Sequence, residues 1–368
     1  MTFRPFALER LFARWEFTAR HLLSSSDCET MSVGELLDLA GVPRAALADV
    51  SLGYTDSQGD PPLRAAIAAS LGVGPDDVVV CAPAEGIALA CAALLEPGDR
   101  VVVQAPCFQS LDELPRHLGC TVERWPVAET DGGWRLDLDR LDALLAPGTK
   151  LLVILAPQMP TGQQPTRAEA DALFALAAAR GVWVFCDEMY RGLEPDASRR
   201  LPAAASRGGR VVALGGLSKT YGLPGLRVGW LASRDRGAVE AILGAKDYST
   251  ICAPGVDQFL ARAAFNVADR LAARSRAIVD ENLARARAFV ARHADRFAWR
   301  EPGAGSVAFI RLLGGGAEAF CERAVNEAGV MVVPSTVFDF GDAHIRLGLG
   351  RKGFPDALSC LEAWLRPR

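Results

Sequence analysis

Gly215-Gly216-Leu217-Ser218-Lys219-Thr220-Tyr221-Gly222-Leu223-Pro224-Gly225-Leu226-Arg227 follows directly on the apolar run Val211-Val212-Ala213-Leu214. That run has the length and composition of a buried strand. Small residues then surround one lysine, Pro224-Gly225 forces a turn, and Arg227 returns a cation eight residues past Lys219. A lysine at the open end of a buried strand reaches into a cleft. Its amine can attack a carbonyl if its pKa is lowered. An arginine beside free backbone N–H groups suits a phosphate.

On either side of this stretch the pattern is regular. Val78-Val79-Val80-Cys81, Arg100 to Gln104, Lys150 to Leu155 and Val182-Trp183-Val184-Phe185-Cys186 read as strands, and Ile87 to Leu95 and Arg167 to Arg180 as helices. Their alternation predicts an α/β unit with a mostly parallel sheet covered on both faces. Ala82-Pro83-Ala84-Glu85-Gly86 joins a strand to a helix start, a geometry that offers N–H groups to an anion. Phe108 falls at the carboxyl end of a strand, where open α/β sheets bind ligands. Asp187 ends a buried strand, where a carboxylate is costly without a cation.

Residues 1–35 read as an arm, with Phe3, Phe6, Leu8, Leu11, Phe12, Trp15, Phe17 and Leu22 at roughly helical spacing. Residues 36–256 are expected to form the large unit and 257–368 a smaller α+β unit. In the latter, 257–293 is helical, as one helix or two. Ser306–Arg311, Val330–Val333 and Ala343–Leu349 are strands, and a last helix runs from Pro355 to about Leu365.

The totals exclude several classes. A net charge of −4 with no basic run argues against nucleic acid or an anionic membrane as partner. Nine scattered cysteines without a CxxC pair fit free thiols in a reducing cytoplasm, and four dispersed histidines give no reason to expect a metal site. The start, Met1-Thr2-Phe3-Arg4-Pro5-Phe6, lacks a signal-peptide core. No apolar run reaches the ~18 residues of a membrane span. Neither a dinucleotide glycine fingerprint nor a phosphate-loop motif occurs, which weakens the nicotinamide and nucleotide-hydrolase readings.

One lysine, one buried acid, a tyrosine close after it and two arginines form the set that pyridoxal phosphate needs. Lys219 would form the Schiff base and later move the proton. Asp187 would keep the pyridine nitrogen protonated. Tyr190 would hydrogen-bond the cofactor's phenolic oxygen, and Phe108 would stack on its ring. Arg227, Ser218 and the backbone of Ala84 and Glu85 would hold the phosphate. Arg346 would clamp a substrate carboxylate.

Ser218-Lys219 with Gly222, Gly225 and Arg227, then Asp187-Glu188-Met189-Tyr190, Pro160-Thr161-Gly162, Tyr54 with Gly59 and Leu63-Arg64, and Arg346-Leu347 occur in an order that resembles the class I/II aminotransferase family. That resemblance implies the aspartate aminotransferase-like fold type I and pyridoxal 5'-phosphate as cofactor. It implies an L-amino-acid substrate transformed through an external aldimine and a quinonoid, with transamination as the parent reaction. It further implies a homodimer in which Tyr54 reaches the phosphate of the neighbouring subunit.

Two positions depart from the family pattern. Met159 stands before Pro-Thr-Gly where the family usually has an asparagine that donates to the phenolic oxygen, and Gly216 stands where Ser or Thr is frequent. Loss of that donor predicts a raised pH midpoint for the bound cofactor's visible spectrum. Trp15-Glu16-Phe17, the segment Leu23 to Glu29 and the segment Lys246 to Cys252 are similar to a capreomycidine-synthase-like subgroup, whose members cyclise, eliminate or oxidise arginine-like substrates. A cationic substrate side chain needs acidic contacts, and Glu16, Asp27 and Glu29 are the candidates.

Overall fold

The structure, a computed structural model, describes residues 3–366. Its central sheet has seven strands: β1 (Val78–Cys81), β2 (Arg100–Ala105), β3 (Thr121–Pro126), β4 (Thr149–Leu155), β5 (Trp183–Asp187), β6 (Val211–Gly216) and β7 (Gly229–Ala232). Their spatial order is β1-β7-β6-β5-β4-β2-β3. Only β7 runs against its neighbours; the other pairings are parallel. Continuous apolar runs form these strands because both faces are covered. Val79 and Cys81 of β1 join one apolar cluster while Val78 and Val80 join another, and β2, β4 and β5 alternate likewise. The edge strand β3 carries Glu123 and Arg124 and buries only alternate stretches, so no apolar run marks it.

Helix α1 (Ala7–Trp15) lies in the arm, and α2 (Pro83–Leu94) follows β1. Beyond β7 come α3 (Arg236–Asp247), α4 (Gly255–Phe265) and α5 (Ala268–Arg292). The helical stretch left open as one helix or two is two, broken at Asn266-Val267. A second, antiparallel sheet contains β8 (Phe297–Trp299), β9 (Val307–Leu312), β10 (Val333–Pro334) and β11 (His344–Gly348), in the order β8-β9-β11-β10. The last helix is α6 (Phe354–Leu365). Phe297, Phe309 and Ile345 share an apolar cluster with one face of the central sheet.

The expected strand at 330–333 is divided between two partners. Val333 joins the small sheet, whereas Val330–Met331 pairs in parallel with His21–Leu22 of the arm. The chain after Leu22 is then threaded between the two sheets. Gly348 N donates to Leu23 O (2.7 Å), Cys28 N to Lys219 O (3.4 Å) and Glu29 N to Gly350 O (2.8 Å). The fit requires glycine: a Cβ at Gly348 would collide with the Ser25 carbonyl, and one at Gly222 with the Glu29 carbonyl. Among the described residues, no helix is long and apolar enough to cross a membrane.

Candidate active site

A cavity of about 540 Å³ opens where the parallel strands end. Its walls come from those ends: Asp187 closes β5, Phe108 follows β2, Met159 follows β4, and Ser218 and Lys219 follow β6. This is the crevice that a parallel sheet with helices on both faces leaves at its carboxyl edge. Tyr190, Ala84, Arg227 and Arg346 also line it, and the arm roofs it with Phe6, Leu8, Glu9, Phe12 and Glu16.

Lys219 donates from Nζ to Ser26 Oγ at 2.8 Å. Burial lowers its pKa, with Asp27 and Asp187 opposing and Arg346 and Arg227 assisting. Asp187 is nine-tenths buried, and its Oδ1 accepts from the Met189 amide (3.0 Å). Burial outweighs that bond and pushes the carboxyl up to about 6. The Tyr190 phenol is pushed up by burial, against Arg346 and a hydrogen bond with Ser26.

Arg346 projects from β11 and is almost fully buried. Its Nη2 donates to Ser24 O (2.7 Å), its guanidinium lies 5.4 Å from the Phe338 ring centroid, and its Nε has no partner. Burial lowers its pKa, opposed by Tyr190, Asp27 and Glu9. The Met159 sulfur accepts from Arg346 Nη1 at 3.6 Å. The side chain that replaces the usual asparagine is therefore engaged with the other arginine of the site. Gly216 has a similar local cause. A Cβ there would lie 3.0 Å from Pro83 Cγ and 3.1 Å from Met189 Sδ, so Met189 fills the space a serine would need.

Ser218 Oγ is buried without a hydrogen-bond partner among the described residues. Arg227 sits in the left-handed region (φ 51°), exposed, with Nη1 on Pro224 O (3.1 Å). The first helical bond of α2 runs from the Gly86 amide to Ala82 O, so the Ala84 and Glu85 amides precede it and lack an intrahelical acceptor. Only Ala84 of these two lines the cavity. The Glu85 carboxylate caps the Ala82 amide (3.2 Å) and accepts from Ser249 and Thr250. Phe108 is half-buried, with the Phe6 ring tilted over it at 5.0 Å.

The arm is pinned by Gln109, which accepts from the Ala7 amide (2.9 Å) and donates to Pro5 O (3.1 Å), and by Arg4, paired with Glu113 (3.0 Å) and Asp339 (2.8 Å). This docking brings the acidic candidates to the cavity unequally. Glu16 lines it with its pKa raised by burial and by nearby Asp27 and Glu9. Asp27 lines it while paired with Arg351 (2.6 Å). Glu29 is not part of the wall, and its carboxylate accepts from the Lys352 amide (2.8 Å). Tyr54 is 91% exposed and also outside the wall. Sequence reasoning missed Glu9 and Ser26. The i, i+3, i+4, i+8 spacing of Leu8, Leu11, Phe12 and Glu16 marks one helix face, and Glu9 beside it carries no separate signal.

The profile of the family "Aminotransferase class I and II" matches residues 25–352, and the chain belongs to that family. It is 33% identical over 338 residues to capreomycidine synthase of Streptomyces vinaceus, covering 90% of this chain and 86% of that protein. It is 28% identical over 326 residues to the arginine–pyruvate transaminase AruH of Pseudomonas aeruginosa, covering 84% and 82%. The structure of the PLP-dependent cyclase OrfR superposes with a TM-score of 0.92 at 31% identity, over 100% of this chain and 98% of that one. A PLP-dependent aminotransferase from Streptococcus suis superposes with a TM-score of 0.93 at 27% identity and the same coverage. The fold is the aspartate aminotransferase-like fold, the chain is a PLP-dependent enzyme, and pyridoxal phosphate is its cofactor. The cavity fits that group: among the described residues, a Ser218 hydroxyl without a hydrogen-bond partner, an exposed arginine and open helix amides suit a phosphate, and a buried Asp187 without an ion pair suits a protonated pyridine nitrogen.

Proposed function

We propose that the enzyme transforms an L-amino acid with a cationic, guanidinium-type side chain, and that it eliminates or cyclises instead of exchanging the amino group. The observation that carries the substrate class is the charge of the cavity. Arg346 offers a buried guanidinium with an open Nε for the α-carboxylate. The arm adds Glu9 and Glu16, neither with an ion pair among the described residues, next to Asp27. Two uncompensated carboxylates in a half-closed site favour a cation. The elimination or cyclisation reading is supported by the likeness to capreomycidine synthase and to the cyclase OrfR.

Pyridoxal phosphate, when bound, supplies the electron sink that makes the substrate Cα–H acidic. Asp187 would hold the ring nitrogen protonated. Ser218, Arg227 and the first turn of α2 would bind the phosphate, Phe108 would cover the ring, and Tyr190 would bond the phenolic oxygen. Lys219, whose amine burial pushes below its ordinary pKa, would take the Cα proton at Nζ. Arg346 would orient the carboxylate, and the arm would exclude water.

Transamination of the same substrate class is the second reading, supported by the likeness to AruH. One experiment separates the two. The purified enzyme is incubated with L-arginine, its hydroxylated forms and neutral amino acids, while product masses and cofactor absorbance are followed. Loss of water to give a ring or an unsaturated product, or its hydrolysis to a keto acid and ammonia, without conversion of the cofactor to its amine form supports the first reading. Conversion of the cofactor to its amine form with release of a keto acid refutes it in favour of the second. Turnover confined to neutral or acidic amino acids refutes the substrate class.

A homodimer belongs to the same proposal. Leu52, Tyr54 and Tyr248 are each at least 90% exposed, as expected where a second copy packs and Tyr54 enters its site. A monomeric mass by light scattering refutes it. Nine free cysteines, seven of them buried, support a reducing, cytoplasmic location.

A further inference from the structure

Among the described residues, Lys219 Nζ donates to one side chain, the hydroxyl of Ser26, at 2.8 Å. A serine hydroxyl accepts and also donates one proton. The Tyr190 phenol lines the same cavity wall, and the Ser26 side chain is one of the groups that oppose the rise burial gives its pKa. Ser26 thus holds the lysine after β6 on the wall that also carries the tyrosine after β5.

Its backbone is fixed from the other side of the molecule. Ser306 Oγ, just ahead of β9, donates to Ser26 O at 2.6 Å. Three residues before it, Leu23 O is held by Gly348 of β11, and three residues after it, Glu29 N is held by Gly350. The segment between leaves Ser26 little freedom to move without carrying Lys219 or the small sheet with it.

We infer that Ser26 is a positioning residue for Lys219. Its hydroxyl accepts an Nζ–H of the amine, so that the amine's lone pair stays directed into the cavity. A neutral amine that gives one N–H to serine keeps its single lone pair for the substrate proton. The ammonium formed afterwards is held by the same oxygen in a stronger, charge-assisted bond. This inference rests on Lys219 being the cofactor-bearing lysine.

The test reads the amine itself. The chain contains four lysines, Lys150, Lys219, Lys246 and Lys352, so peptide mass spectrometry resolves each one. The full-length protein freed of cofactor is trace-acetylated with acetic anhydride between pH 5 and 10. Removing the acceptor disfavours the ammonium, so Ser26→Ala is expected to move the Lys219 labelling midpoint down by about one pH unit. Ser26→Thr keeps the hydroxyl and is expected to stay at the wild-type midpoint, and the Lys352 midpoint is expected to stay constant throughout. Ser26→Cys, close in size with a weak acceptor, carries the same expectation if the alanine variant does not fold. Midpoints for the alanine and cysteine variants that coincide with wild type overturn the inference, as does an equal shift in Ser26→Thr. Borohydride reduction of the loaded wild type, followed by peptide mapping, is the separate control. Trapping at another lysine refutes the site assignment, whereas trapping at Lys219 with unmoved midpoints refutes Ser26 alone.

Discussion

Replacing Asp187 with asparagine is predicted to stabilise the cofactor-free protein above neutral pH while weakening its hold on the cofactor. The Asp187 carboxyl is pushed from 3.8 up to about 6, first by burial, with the Met189 amide and Lys219 opposing. At ~1.4 kcal/mol per pKa unit, carrying the ionised form into the fold costs about 3 kcal/mol. The sign follows from linkage. Between pH 4 and 6 the folded chain binds a proton that the unfolded chain has already released, so stability falls as pH rises through this window and stays low above it. The substituted amide has no such proton to bind or release. The difference between Asp187→Asn and wild type should therefore be near zero at pH 4 and grow to about 3 kcal/mol in favour of the mutant at pH 8. Urea unfolding of the cofactor-free chain at several pH values measures it, and the comparison removes most of the contribution of neighbouring Glu188, which burial raises to about 7 with Asp187 as the smallest of the causes. The loaded enzyme should behave oppositely, because asparagine cannot hold a protonated ring nitrogen. An equal stability difference at pH 4 and pH 8 refutes the reasoning, as does an unchanged rate of cofactor loss.

Three further outcomes are expected. Glu9→Gln with Glu16→Gln should raise KM for arginine roughly tenfold, on the order of 1.4 kcal/mol, and leave a neutral amino acid nearly unaffected; equal losses on both substrates would refute a role in charge recognition. In the wild type, arginine binding should weaken at low pH as Glu16, raised chiefly by burial, protonates. Met159→Asn should lower the pH midpoint of the bound cofactor's visible spectrum by about one unit, and an unchanged or higher midpoint counts against it. Gly216→Ser should cost about 1–3 kcal/mol, because its Cβ meets Pro83 and the Met189 sulfur, and adding Met189→Ala should recover part of that loss; strictly additive urea-unfolding energies would refute the coupling.

What could be read from the residues alone depended on where each residue takes its position from. Asp187, Tyr190, Ser218 and Lys219 follow strands that announce themselves as apolar runs, so their place at the sheet's carboxyl edge was legible. Strand β3 was not, because an edge strand bearing Glu123 and Arg124 needs no continuous apolar run. The break between α4 and α5 carries neither glycine nor proline at Asn266-Val267. Met159 and Gly216 were visible as departures, but their local causes, Arg346 and Met189, come from contacts far apart in sequence. Glu9 and Ser26 acquire their positions only when the arm docks, and no periodicity encodes that event.

The threading of residues 23–29 between the sheets also sets an order of events during synthesis. Lys219 meets Ser26 only while Leu23 is held by Gly348 and Glu29 by Gly350. Those glycines leave the ribosome more than 300 residues after the segment they hold. The earlier segment must therefore wait for the strand that bears Gly348 before it is held. A nascent chain can build its parallel sheet early, yet Lys219 gains its Ser26 partner only after the small sheet has followed.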